Sequence, residues 1–111
     1  MRPFTALAVA IVSEILGTTA LKLSDGFSNV LPAAVVVVGY AAAFYFLSVA
    51  LETLPIGQVY AIWAAVGIVG TAGVGVAYFG ESLDAAAVVG LALVVAGVVL
   101  LTRSGAYAAA H

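Results

Sequence analysis

The sequence contains no cysteine, and charged residues make up only 7% of its 111 positions. Without cysteine there is no disulfide, no thiol nucleophile and no thiolate metal site. The three basic residues, Arg2, Lys22 and Arg103, offer no surface for nucleic acid. His111 is the only histidine and is the last residue, where an ordinary chain end explains it better than a metal ligand does. We therefore expect no metal, no cofactor and no nucleic-acid partner.

Hydrophobic residues are abundant instead, at 66% of the chain. So apolar a composition is typical of a membrane protein. A bilayer core about 30 Å thick requires about 20 apolar residues per helix, so this length allows four helices and no separate soluble domain. Segments in lipid must be helical, because every backbone N–H and C=O needs a partner within the segment. The sequence predicts one all-α domain over 1–111, with spans at about 3–22, 31–51, 56–79 and 85–102.

Short polar connections separate the predicted spans. Asp25-Gly26 is a turn signal after the first span, and Pro55 precedes the third. Gly80 and Asp84 are a stop signal and an N-cap before the fourth. Connections this short make neighbouring helices antiparallel.

The basic residues barely favour one orientation in the membrane. Four spans would place both termini on one side, so that Arg2 and Arg103 face one compartment and Lys22 the other. A chain with so weak a bias can insert both ways, and two oppositely inserted copies can pair as an antiparallel homodimer. A single orientation is the alternative that the sequence leaves open.

Glu14 lies about halfway along the first predicted span, within the stretch AIVSEILGTT. A charged side chain at that depth costs at least about 2.5–3.5 kcal/mol, so such residues usually face a bundle interior or an aqueous cavity. Lys22 stands at the end of the span, too far along it to pair with the acid. Burial disfavours the charged form of a carboxyl group, which would let Glu14 bind and release protons. The alternative is an acid that stays protonated and bonded to Thr18 or a carbonyl as a packing device.

Aromatic side chains recur at helical spacing in the second and third predicted spans. Tyr40, Phe44 and Leu47 share one face through i, i+4 and i+7 spacing. Tyr60 and Trp63 share a face of the next span. Aromatic rings near a carboxylate suit an organic cation, since the ring quadrupole attracts positive charge by about 2 kcal/mol when desolvated. A plain packing role for these rings is the alternative.

Glycines mark two further helix surfaces. Gly67, in the third predicted span, serves either close helix contact or a bend needed for alternating access. In the fourth span Gly90, Leu93 and Gly97 share a face that is suited to helix pairing. Neither pattern specifies a function by itself.

Four stretches together resemble the small multidrug resistance family of four-helix, proton-coupled exporters. They are SEILGTTALKLSDGF at 13–27, LPIGQVYAIWAAVGIV at 54–69, FGESLD at 79–84 and GLALVVAGVVLL at 90–101. The resemblance covers essentially the whole chain, and its most specific parts are S-E-x-x-G-T-T and Y-A-I-W. The chain departs from the family at Ala65-Val66-Gly67, where a Gly-Val-Gly bend is usual, so the expected hinge rests on Gly67.

The resemblance implies an antiparallel homodimer whose two Glu14 side chains form one site for protons and substrate. It implies substrate contacts for the matching positions near the acid and on the aromatic faces, namely Ala10, Ile11, Gly17, Thr18, Tyr40, Phe44, Leu47, Tyr60 and Trp63. It also assigns Gly90 and Gly97 to a dimer seam that Leu93 shares. The aromatic positions match the family's polyaromatic-cation subtype, which favours quaternary ammonium compounds and cationic dyes over guanidinium.

We therefore expect a proton-coupled antiporter, not an enzyme, that exports hydrophobic organic cations by alternating access in the plasma membrane of a prokaryote. Its expected partners are organic cations, protons, the lipid bilayer and a second copy of the chain. Two alternatives remain, which are a proteolipid-like proton-carrying subunit of a rotary ATPase and a structural membrane subunit. The first would assemble into a large ring, and the second would bind no cation.

Overall fold

A computed structural model describes residues 1–105, which form four α-helices. They are α1 (Pro3–Leu23), α2 (Val30–Leu51), α3 (Ile56–Ala77) and α4 (Ala85–Arg103). Each is 19 to 22 residues long and apolar enough to cross a membrane. The predicted fold class, an all-α membrane protein with four spans, is confirmed. His111 lies outside the described residues.

Proline, glycine and aspartate set several helix ends. Pro3 opens α1, where its missing N–H removes no helical hydrogen bond. Asp84 is the N-cap of α4, and its carboxylate accepts the Ala87 N–H at 2.8 Å. α3 ends at Ala77 rather than at 79, because the backbone turns at Gly80, which has a φ of 70°, and the Glu81 N–H then returns to the Gly75 carbonyl at 2.9 Å.

The chain divides into two compact units, and the first, Met1–Thr53, contains α1 and α2 packed antiparallel. The two backbones come closest where Gly39 meets α1. A β-carbon at Gly39 would lie 3.0 Å from Gly17 Cα and 3.1 Å from the Ser13 carbonyl oxygen. Only glycine permits this approach. The core of the unit consists of small and branched apolar side chains, namely Ala6, Leu7, Ala10, Ile11, Ala20, Val36, Ala43 and Ala50.

Ser24 organises the turn between α1 and α2. It is fully buried, and its hydroxyl donates to the Leu21 carbonyl at 2.7 Å while accepting the Phe27 N–H at 3.1 Å. Asp25 and Phe27 have φ values of 49° and 69°, in the left-handed region that is unfavourable for residues with a side chain. The bonds of Ser24 thus hold a tight turn whose backbone is strained on either side of Gly26.

The second unit begins at Leu54 and contains α3 and α4, which the connection 78–84 makes antiparallel. An open apolar groove runs between them. It is lined by Ile62, Ala65, Val66, Val69, Gly70, Val95, Val98 and Val99. α4 has no buried residue. Its apolar side chains are therefore available to lipid or to another protein surface.

Candidate binding site around Glu14

Glu14 is half-buried near the middle of α1 and takes part in a chain of hydrogen bonds. The Thr18 hydroxyl, one helical turn along, donates to Glu14 Oε1 at 2.7 Å. The same Thr18 oxygen lies 2.6 Å from the hydroxyl of Tyr40 on α2. A carboxyl group, an aliphatic hydroxyl and a phenol are thereby joined in one line across the two helices.

Close packing of the backbones brings these three groups together. Because neither Gly17 nor Gly39 has a side chain, α2 approaches α1 closely enough for the Tyr40 ring to lie across Gly17. A β-carbon at Gly17 would be 3.4 Å from two ring carbons of Tyr40. The Tyr40 side chain, anchored there, places its hydroxyl at Thr18 one residue further along α1.

The other residues expected to flank the acid are interior residues of the first unit. Ala10 has no exposed surface, Ile11 is 3% exposed, and Gly17 is buried. Gly17 lies beneath the Tyr40 ring, and Ala10 and Ile11 lie in the core about one helical turn before Glu14. Their contact with a substrate stays a prediction.

The expected aromatic face of α2 extends away from the hydrogen-bonded residues along the helix. Tyr40 and Leu47 are half-buried, whereas Phe44 is 61% exposed. Since α1 and α2 are antiparallel, Phe44 and Leu47 lie beside the N-terminal half of α1. The first unit thus presents an acid, a phenol and an exposed aromatic ring on neighbouring turns.

Tyr60 and Trp63 belong to the second unit, where they lie one turn apart on α3. Tyr60 is 71% exposed and Trp63 is half-buried. Further along α3, Gly67 is buried within a continuous helix, and its carbonyl accepts the Thr71 hydroxyl at 2.7 Å. A threonine bonded in this way often accompanies helix bending. The hinge role of Gly67 stays a prediction.

The expected dimer seam is uncovered on the described chain. Added β-carbons at Gly90 and Gly97 would meet no atom within 4 Å, and Leu93 is 67% exposed. The seam therefore offers a shallow, accessible strip on α4. Its role in dimer formation stays a prediction.

Two polar features escaped the sequence analysis. The first is the contact of the Tyr40 hydroxyl with Thr18, which depends on the register between two helices. The second is Gln58, which is only 8% exposed and whose Oε1 has no hydrogen-bond partner among the described residues. A glutamine in the first turn of a predicted span is a signal that could have drawn attention to this position.

Comparison with known proteins identifies the family of this chain. A family model described as Small Multidrug Resistance protein matches residues 2–94. The chain belongs to the small multidrug resistance family. Multidrug resistance protein EbrB of Bacillus subtilis (strain 168) is 50% identical over 108 residues, which cover 97% of this chain and 92% of that protein. Quaternary ammonium compound-resistance protein QacE of Escherichia coli is 45% identical over 101 residues, which cover 91% of this chain and 92% of that protein.

Membership of the small multidrug resistance family agrees with the fold. The four apolar helices and the bacterial relatives identify a multi-pass protein of a prokaryotic plasma membrane. Both relatives named above are resistance proteins by name, and neither name is that of an enzyme. The protein is accordingly a small multidrug efflux transporter.

Proposed function

We propose that this transporter is a proton-coupled antiporter that exports hydrophobic organic cations, with Glu14 as the group for which protons and cations compete. The observation that carries the proposal is the half-buried Glu14 carboxylate, bonded to Thr18 next to the Tyr40 ring. An acid inside an apolar helix needs a counter-charge or a proton. A hydrophobic cation and a proton both meet that need, but not at the same time.

The aromatic residues favour flat or bulky organic cations. Phe44 stands on the same face of α2 as Tyr40, whose hydroxyl reaches Thr18. Both rings can attract a positive charge without demanding a specific hydrogen-bond pattern. Tyr60 and Trp63 are proposed to complete the aromatic lining. The name of the relative QacE, a quaternary ammonium compound-resistance protein, supports this ligand class. Quaternary ammonium compounds and cationic dyes are therefore the proposed substrates.

Competition between protons and cations for Glu14 couples cation export to proton entry. Protons arriving from outside displace the cation from Glu14, and the transporter then turns inward and exchanges those protons for a cation from the cytoplasm. In the proposed antiparallel homodimer, the two Glu14 side chains together bind the protons and the cation. Gly67 allows α3 to bend, and the dimer seam is formed by Gly90, Leu93 and Gly97. Alternating access then needs only two arrangements of the same pair of chains.

The decisive experiment measures binding of tetraphenylphosphonium to the purified protein between pH 5 and pH 9. We expect affinity to fall as pH decreases, because protonation removes the negative charge that the cation requires. The Glu14→Gln variant should lose most of the affinity and all of its pH dependence. Asp25→Asn, which neutralises an acid in the turn after α1, is the matched control and should behave like the wild type. Affinity that is independent of pH in the wild type would refute the proposal.

A further inference from the structure

We infer that the Tyr40 hydroxyl is a positioning group for Glu14, acting through Thr18, so that a phenol that need not touch the acid adjusts the competition between proton and cation. The inference rests on the proposed function and deepens it. It gives Tyr40 a role that its aromatic ring alone does not provide. The observation behind it is the continuous line from Tyr40 through Thr18 to Glu14, with oxygen–oxygen distances of 2.6 and 2.7 Å.

Counting hydrogen atoms fixes the direction of the line when Glu14 is ionised. A carboxylate only accepts hydrogen bonds, and a threonine hydroxyl has a single proton to donate. Thr18 therefore donates to Glu14 Oε1, which is the direction that the structure assigns. Its oxygen can then only accept from Tyr40, so the phenol must donate. Each bond polarises the next, and both stabilise the negative charge on Glu14.

A proton on Glu14 Oε1 reverses this line. The acid then donates to Thr18, Thr18 donates to Tyr40, and the phenol proton has to find another acceptor. The bonds that favoured the ionised acid are lost, and the Tyr40 hydroxyl is released from its role as donor. Tyr40, on the helix face that it shares with Phe44 and Leu47, therefore donates its hydroxyl proton to different partners in the two charge states of Glu14.

The geometry makes the effect specific to one phenol. α2 is the helix packed against α1 in the first unit, and its titratable side chains are Tyr40 and Tyr45. Tyr45 is 63% exposed, and its ring packs edge-on against Phe46, at 5.1 Å between centroids. Apart from Glu14 itself, the charged side chains of this unit stand at helix ends or in turns, namely Arg2, Lys22, Asp25 and Glu52. Removing the Tyr45 hydroxyl is therefore a control that leaves the line to Glu14 intact.

The test is tetraphenylphosphonium binding from pH 5 to pH 9 by Tyr40→Phe, which keeps the ring and removes the hydroxyl. We expect its binding curve to move to higher pH. Affinity in the acidic half of the series should fall by about threefold to tenfold, the worth of one hydrogen bond between neutral groups such as the Tyr40 and Thr18 hydroxyls. At pH 9, where we expect Glu14 to be ionised with or without the Tyr40 hydroxyl, the loss of affinity should be below about twofold. Tyr45→Phe should follow the wild-type curve.

Two Thr18 variants complete the test. Thr18→Val should shift the curve in the same direction as Tyr40→Phe, and the double variant should shift it no further than the larger single effect, because both changes break the same line. Thr18→Ser keeps the hydroxyl and should restore the wild-type curve. A Tyr40→Phe curve with its wild-type pH dependence would overturn the inference while leaving the proposed function intact. A wild-type curve without pH dependence would overturn the proposed function itself.

Discussion

At the residue scale, the site depends on two glycines as much as on the acid. Gly17 and Gly39 let the backbones of α1 and α2 meet, and this contact sets the distance between Thr18 and Tyr40. In the bilayer, close packing of small residues is a main source of helix association, because lipid removes the hydrophobic driving force. The Gly17–Gly39 contact is thus both a packing element and the support of the hydrogen-bonded line.

The Gly39→Ala variant tests this support. Its new β-carbon would lie 3.0–3.2 Å from backbone atoms of Gly17 and Ser13, which cannot rotate away, so the helices must separate. We expect a destabilisation of about 1–3 kcal/mol. We also expect weaker cation binding, since Tyr40 moves away from Thr18. Thermal unfolding in detergent and tetraphenylphosphonium affinity measure the two effects.

Gly17→Ala is the matched control for that variant. Its β-carbon would meet the Tyr40 ring at 3.4 Å, an ordinary contact with a side chain that can adjust. It should therefore cost less stability than Gly39→Ala. Equal stability of the two variants would show that the backbone contact does not hold the helices together.

How much of the site was predictable depends on sequence separation. The pair of Glu14 and Thr18 follows from the i, i+4 geometry of one helix, and a bond between them is one of the two interpretations that the sequence offers for the acid. For the partner Tyr40, the sequence predicts only a place on the aromatic face of α2. Its hydroxyl meets Thr18 across 22 residues of chain, and that meeting depends on a helix register that no local pattern specifies.

At the element scale, the number and nature of the helices were predictable because the bilayer restricts the choices. Any span must be helical and about 20 residues long, and Pro3, Pro55 and Asp84 mark the helix starts. The end of α3 was less predictable. The apolar Tyr78 and Phe79 continue the hydrophobic pattern, but the chain turns directly after them at Gly80, and the Glu81 N–H returns to the Gly75 carbonyl. Hydropathy alone does not register such a turn.

The turn after α1 provides a prediction about one element. Ser24→Ala removes a buried hydroxyl that accepts the Phe27 N–H and donates to the Leu21 carbonyl. Loss of these bonds should cost about 1–3 kcal/mol and should release a backbone held at positive φ. Hydrogen exchange at the Phe27 amide should accelerate, and the unfolding temperature should fall.

Ser28→Ala serves as the control in the same turn. The Ser28 hydroxyl is exposed and donates to the Asp25 carbonyl at 2.8 Å, so water can replace it. Its removal should change stability by less than about 0.5 kcal/mol. If Ser24→Ala changed stability as little as Ser28→Ala, the surrounding helices and not Ser24 would determine the shape of the strained turn.

At the scale of the whole molecule, one chain of four spans exposes much of the surface that a transporter has to enclose. α4 has no buried residue, and the aromatic side chains Phe44 and Tyr60 are largely exposed. A single chain therefore leaves both the proposed seam and part of the proposed substrate lining uncovered. A second copy is the partner that the proposed function requires, and the weak charge bias allows that copy to be inserted in the opposite direction.

Reporter fusions at the C-terminus test the two orientations directly. A reporter active only in the cytoplasm and one active only outside should both give signal, because Arg2 and Arg103 are nearly balanced by Lys22. Signal from one compartment alone would rule out dual orientation.

Charge variants then connect orientation to transport. Ser28→Arg with Ser82→Arg adds positive charge to the turns on the Lys22 side, and Glu52→Arg with Thr53→Arg adds it on the side of the termini; all four positions are exposed. Because basic loops remain in the cytoplasm, each pair should fix one of the two opposite orientations. Either variant alone should lose cation resistance in cells, and co-expression of the two should restore it. Full resistance from one fixed variant would mean that a parallel assembly, or a single chain, is enough for transport.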